Sequence, residues 1–410
     1  MLRAIILVLA ICVRLSADDQ WPEFLGPSHN NHAASATLPT RWSETENVRW
    51  RTALPGEGWS SPVIWDDQIW LTTSTSEGRS LRAVCVNKTT GRIDRNIEVF
   101  APSDPGYKNS FNSYASPTPA IEKGRVYVCF GTNGSACIDT ISGQIVWRNT
   151  DLKVMHMEGA GSSPILYKDL YILNCDGIDQ QYVAALDKKT GQTVWKTPRS
   201  TDFGWKLPPM RKAYSVPLPI TVDGREQLIS IGAYNCIAYD PRTGKEQWSC
   251  TLPGYSNAAR PVYGDGLLYV STGYTVAQLW AVRPGGSGDV SKTSIAWKFS
   301  QASCLLPTPL FVGGRIYMPL DSGIVRCLDA KSGQQIWQAR LGTQYVSSPL
   351  YAHGMIYLFS LKGVTAIVKA GDRPDVIAEN RLDGRFMASP AVSGGALFLR
   401  TNTHLYRIEE

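Results

Sequence analysis

The sequence predicts an all-β fold: an eight-bladed β-propeller of four-stranded antiparallel blades, its ring closed by an N-terminal strand. Three observations carry that expectation. A short motif ending in proline recurs eight times, a hairpin motif ending in Trp follows it in several of the same repeats, and the last repeat is one strand short. Composition agrees, because only 19% of the 410 residues are charged, while 36 Gly, 13 Trp and 18 Tyr suit short strands and tight turns better than long helices.

The proline motif stands at Ser61-Pro62, Ser116-Pro117, Ser163-Pro164, Val216-Pro217, Arg260-Pro261, Leu306-Pro307, Ser348-Pro349 and Ser389-Pro390. Successive prolines lie 55, 47, 53, 44, 46, 42 and 41 residues apart, the length of one propeller blade. After each comes a turn and then a β-type run, such as Arg125-Val126-Tyr127-Val128 or Met355-Ile356-Tyr357-Leu358. On this reading the strand before each proline is the innermost of its blade.

The second motif is fullest at Ala185-Leu186-Asp187-Lys188-Lys189-Thr190-Gly191-Gln192-Thr193-Val194-Trp195, with copies from Cys137 to Trp147, Ala238 to Trp248 and Cys327 to Trp337. A weaker copy, Cys85 to Arg95, keeps Thr90-Gly91 and lacks the Trp. Its logic is that of a hairpin. The Asp carboxylate accepts from turn N–H groups, Gly takes the left-handed backbone position, and the Trp ring fills the space between neighbouring sheets.

Only 20 residues follow Pro390, enough for three strands. Asn47-Val48-Arg49-Trp50 can supply the fourth, because Trp50 lies 12 residues before Pro62, just as Trp337 lies 12 before Pro349. Pairing the two chain ends removes the exposed edges of an open array.

The N-terminus reads as a processing signal. Arg3 precedes an apolar stretch, Ala4 to Val13, and Leu15-Ser16-Ala17 offers a cleavage point, so residues 1–17 are expected to be a signal peptide, 18–37 a leader and 38–410 the propeller. Ile11 before Cys12 is bulkier than lipid-attachment motifs usually allow, which argues against lipid anchoring there. A periplasmic or secreted monomer is the expected product. Export permits disulfides, yet Cys85, Cys137 and Cys327 occupy the motif position held elsewhere by Ala185 and Ala238, which reads as a small buried site. Cys129 and Cys137 flank Asn133-Gly134 and could cross-link one hairpin if the register sets them opposite.

Several function classes fall away. The formal charge of +6 is spread without a Lys/Arg block, which excludes an obvious nucleic-acid protein, and no apolar run is long enough for a transmembrane span. No phosphate-binding, dinucleotide, nucleophile-elbow or zinc-protease motif occurs. His29 and His32, in the leader, read as solvated rather than as metal ligands, and no metal site is expected.

The repeated Ala/Cys-x-Asp-x-x-Thr/Ser-Gly-x-x-x-Trp pattern resembles the PQQ-type propeller repeat, shared by quinoprotein dehydrogenases and the BamB family of outer-membrane assembly factors. The resemblance spans about residues 38–410. The segment Gln20-Trp21-Pro22-Glu23-Phe24-Leu25-Gly26-Pro27 resembles the leader of secreted BamB-like proteins, with Leu25 where those often carry Arg.

Residues just upstream of the prolines are expected to line one mouth of the central channel: Trp59, Asn112, Tyr114, His156, Glu158, Arg211, Tyr214, Arg260, Tyr345 and Arg385. Arg beside flat aromatics suits a planar, anionic ligand through stacking and bidentate hydrogen bonds. The dehydrogenase branch of the resemblance implies PQQ with calcium in this funnel and a carboxylate base. Glu158 is the single carboxylate among these residues. The vicinal cysteines and long covering insertions of that branch are missing, the longest irregular stretches being residues 96–115 and 199–214. The BamB branch implies a non-catalytic exported scaffold without cofactor, binding envelope proteins or a small anionic or carbohydrate ligand. Trp65, Phe111, Phe203 and Trp205 are candidate partner anchors.

Overall fold

The structure, a computed structural model, describes residues 19–33 and 36–410; the expected signal peptide, with Cys12, lies outside the described residues. The described chain forms eight antiparallel sheets, seven of four strands and one carrying a short fifth, Gly288–Asp289, parallel to its outer edge. In blade 1 the strands run Val63–Trp65, Gln68–Ser74, Leu81–Asn87 and Ile93–Phe100, from the channel outward. The inner strands of blades 2 to 8 are Ala120–Glu122, Ile165–Tyr167, Leu218–Val222, Val262–Gly264, Leu310–Val312, Leu350–Ala352 and Ala391–Ser393.

Three expectations are corrected here. The innermost strand follows the proline instead of preceding it: sheet order starts with the three- to five-residue strand that begins immediately after it. Proline fits because its missing N–H costs no ladder bond at a strand's first residue. In blades 2 and 6 the flanking proline is Pro119 and Pro309, two residues beyond the expected Pro117 and Pro307. Residues 96–100 also belong to the outer strand of blade 1, so the irregular stretch begins at 101.

The ring closes as expected. Val48–Ala53 pairs antiparallel with His404–Ile408 and forms the outer strand of blade 8. The hairpin motif also behaves as expected. Asp187 Oδ1 accepts from the N–H groups of Lys189 and Thr190 at 2.9 and 2.8 Å, while Gly191 sits at φ +74°. In the weak copy Asn87 Oδ1 does the same work for Thr89 and Thr90.

In blades 2, 3, 5, 6 and 8 an outer-strand Trp ties the blade to the next. Trp147 lies flat against Gly191 of blade 3 and donates its Nε1–H to Lys188 O at 2.9 Å. Trp50 does this across the closure, against Gly91 and Lys88 of blade 1. Blade 5, which lacks the turn motif, still places Trp297 on Gly333. Apolar clusters fill the spaces between adjacent sheets, where burying each large side chain contributes about 1.5–3 kcal/mol.

The leader is part of this architecture. Trp21 exchanges backbone bonds with Ile64 in the inner strand of blade 1, and Pro22 O accepts from Ile121 in blade 2. The chain then reaches Arg260, at the entry to blade 5, and continues to Asn31, whose backbone and side chain bond to Tyr351 and Pro349 of blade 7. Blades 1 and 5 face each other across an eight-membered ring, so the leader crosses the channel and closes that end. His29 and His32 are accordingly half-buried and bonded, not solvated: His29 Nδ1 lies 2.7 Å from Glu23 Oε1 and His32 Nε2 2.8 Å from Phe311 O.

All eight described cysteines are free and buried. The register sets Ser135 opposite Cys129 and Tyr127 opposite Cys137, so that hairpin is not positioned for a cross-link.

Candidate functional site

In each blade the antiparallel order puts the outer-to-inner connections and the second-to-third turns at one end of the ring. The long connections at this end surround a funnel of about 740 Å³, and Phe24 of the leader lines its closed end. Four of the ten expected residues line it: Trp59, Asn112, Glu158 and Tyr214. Trp59 donates to Phe111 O at 3.2 Å, and Asn112 Nδ2 holds Glu158 O and Ala160 O at 2.8 and 3.1 Å, fixing the loop that carries Glu158.

The other six lie elsewhere. Tyr114 packs on Gly78 and donates to Gly106 O. His156 is wedged against Gly131, and burial pulls its imidazole down to about 4, against the opposing charge of Asp179. Arg211 lies over Phe203 and donates to Lys206 O. Tyr345 is fully buried beside Gly342, and Arg385 is exposed next to Asn402.

Arg260 is also fully buried, turned away into the leader. Its Nη1 donates to Glu23 Oε1 at 3.1 Å and Phe24 O at 2.9 Å, and its Nη2 to Pro217 O at 2.9 Å. Burial pushes the Glu23 carboxyl up, but His29 and Arg260 together outweigh that and hold it below its ordinary value. The pair fastens the leader to the ring and leaves no guanidinium free for a ligand.

The funnel therefore contains none of the three expected arginines. Its charged groups are Glu158, Lys212 and Asp321. Lys212 Nζ lies 3.2 Å from Glu158 Oε1, with its side chain only 6% exposed, so the two charges neutralise each other. The remaining wall is aromatic, aliphatic and neutral polar, including Met157, Tyr255, Leu306 and Met387.

The residues immediately before the inner-strand prolines, four of them marked in the sequence only as Ser-Pro spacings, form a ring. Ser61 N–H donates to Thr118 Oγ1, and Thr118 N–H to Ser163 Oγ, at 2.9 Å each. Thr308 N–H donates to Ser348 Oγ, Ser348 N–H to Ser389 Oγ and Ser389 N–H to Ser61 Oγ, each at 3.0 Å. The ring breaks where Val216 and Arg260 stand in place of a hydroxyl residue, and there the Arg260 guanidinium bonds Pro217 O instead.

A quinone held with calcium needs cationic groups for its carboxylates and several oxygen ligands for the metal. Here the single lining cation is spent on the single carboxylate beside it, and among the described residues no group of three or more His, Cys, Asp or Glu could hold a metal ion. The lining does not fit that group.

The funnel mouth is apolar outside as well. Nine of the fourteen exposed large apolar side chains lie on these connections, among them Tyr107, Phe111, Met155, Trp205, Leu207 and Tyr274. Of the expected anchors, Trp205 is 78% and Phe111 39% exposed, while Trp65 and Phe203 are half-buried.

Eight blades, five of them stapled to the next by a Trp, with a closing N-terminal strand and a one-ended funnel, define a closed β-propeller of the PQQ-repeat class. The family model described as outer membrane protein assembly factor BamB matches residues 75–197 and 179–410, and the chain belongs to that family. It is 24% identical over 221 residues to BamB of Alkalilimnicola ehrlichii, covering 53% of this chain and 52% of that protein. It is 23% identical over 257 residues to quinohemoprotein alcohol dehydrogenase ADH-IIG of Pseudomonas putida, covering 56% of this chain and 33% of that protein. The matches thus span about half and a third of these relatives' lengths. Among solved structures, BamB from Moraxella catarrhalis superposes with a TM-score of 0.63 at 14% identity, covering 88% of this chain and 97% of that one. A europium-containing methanol dehydrogenase gives 0.74 at 11% identity, covering 94% and 90%. At such identities these likenesses speak for the fold alone.

Proposed function

We propose that the chain is a non-catalytic, exported binding propeller that docks a protein partner on its loop-rich face, in envelope assembly like its BamB relatives. The observation that supports this reading is the gathering of exposed apolar side chains on one face of a rigid ring. Monomeric proteins rarely leave such side chains together without an interaction to cover them. Trp205 and Leu207 stand on the connection entering blade 4, with Lys206 Nζ 5.4 Å above the Trp205 ring, a combination typical of interface anchors. A PQQ-dependent dehydrogenase is the second reading. It draws on the likeness to quinohemoprotein alcohol dehydrogenase, and the donor set of the funnel weighs against it.

The test is a photo-crosslinking amino acid placed at Trp205, with Val194 on an outer strand as the control position. Expressed in its native envelope, the Trp205 variant is expected to capture a defined protein that the Val194 variant does not. Equal capture, or none, at both positions contradicts the docking face.

A further inference from the structure

We propose that the funnel throat is a binding site for a neutral carbohydrate, held by a ring of hydroxyl donors above Phe24. Five of the hydroxyls before the inner-strand prolines line the funnel: Ser61, Thr118, Ser163, Ser348 and Ser389. Each is at most 5% exposed. Each oxygen accepts a backbone N–H from a neighbouring blade, and none donates its own hydrogen to an acceptor among the described residues. A hydroxyl carries one donor besides its acceptor sites, and accepting an N–H strengthens that donor. The throat thus presents five polarised O–H groups, from blades 1, 2, 3, 7 and 8, with little water to satisfy them.

Donors spread around a channel call for a ligand whose acceptors are spread around an edge. An apolar ligand would leave them unpaired, which is costly. An anion would meet a lining whose charges sum to −1, since Lys212 balances Glu158 and Asp321 remains. A sugar ring satisfies both demands. Its oxygens lie around the rim, and its C–H faces suit the flat side chains of Phe24, Trp59 and Tyr255. This inference is independent of the docking face, since a sugar can bind whether or not Trp205 meets a partner.

The experiment is calorimetric titration of the full chain with glucose, N-acetylglucosamine and maltose, and separately with citrate and PQQ. At least one neutral sugar is expected to bind at or below about 10 mM, and the isosteric variant Thr118→Val and the variant Ser163→Ala are each expected to weaken it about tenfold. Thermal unfolding of both variants checks that each remains folded, and Val194→Ala on an outer strand is expected to bind unchanged. Three results overturn the proposal: no heat from any of the sugars, sugar binding that both throat variants leave intact, or citrate or PQQ binding more tightly than every sugar.

Discussion

The indole of Trp147 lies on Gly191 of the next blade so closely that a Cβ on Gly191 would stand 2.6 Å from its ring carbons. The same ring anchors itself through Nε1 on Lys188 O, so the contact fixes both the distance and the angle between blades 2 and 3. Gly191→Ala would add a methyl where there is no room and force an L-residue to φ +74°. The expected cost is about 2–4 kcal/mol, read as a lowered denaturation midpoint. Gly224→Ala, also at positive φ but with open space around it, is expected to cost only the backbone share.

The Glu23–Arg260 pair fastens the leader across the channel. Glu23→Gln would leave a buried guanidinium without its carboxylate and is expected to cost about 3–5 kcal/mol. Because the folded carboxyl titrates below its unfolded value, its contribution is present above about pH 4.3 and is lost as pH falls through the folded value. Thermal midpoints between pH 6 and 3 are expected to fall less steeply in Glu23→Gln than in the unmodified chain.

His156 acts on a different pH window. Neither ring nitrogen has a partner, and burial holds its folded value at about 4, against about 6.5 unfolded. The unfolded chain then binds the extra proton between those values, so stability falls as pH drops from about 6.5 to 4. The difference corresponds to about 3 kcal/mol at most. His156→Phe is expected to flatten this slope, measured by urea denaturation across that range.

Trp205 is 78% exposed, and its loss should leave folding nearly untouched. Trp205→Ala is expected to shift stability by no more than about 0.5 kcal/mol. Partner capture, assayed by pull-down from envelope extract, is expected to fall sharply in the same variant.

The parts of the fold that repeat were legible. Asp187, Gly191 and Trp195 declare a hairpin because each answers a local requirement, and Trp50 could be matched to the last blade by spacing alone. The inner strands were not, because three residues carry no period, and Ser116-Pro117-Thr118-Pro119 offers two prolines of which tertiary register selects the second. Position before a proline also failed to tell where a side chain turns. Arg260 reads as a mouth residue, yet its partner is Glu23, 237 residues away, and such a pairing leaves no local signal. The leader carries no sequence period because its backbone bonds go to blades 1, 2 and 7 and to its own irregular turns, forming no helix or strand pair of its own. Ser61, Ser163, Ser348 and Ser389 were in view as Ser-Pro repeats, whereas Thr118 was passed over for Ser116, and only the ring shows that these hydroxyls are bonded to one another's backbones.

Titration of the purified chain with PQQ and calcium, following quinone absorbance and dye-linked alcohol oxidation together, tests most directly whether this is a binding rather than a redox propeller. The expected result is no stoichiometric quinone uptake and no turnover. One equivalent of bound quinone with sustained alcohol oxidation would contradict the account.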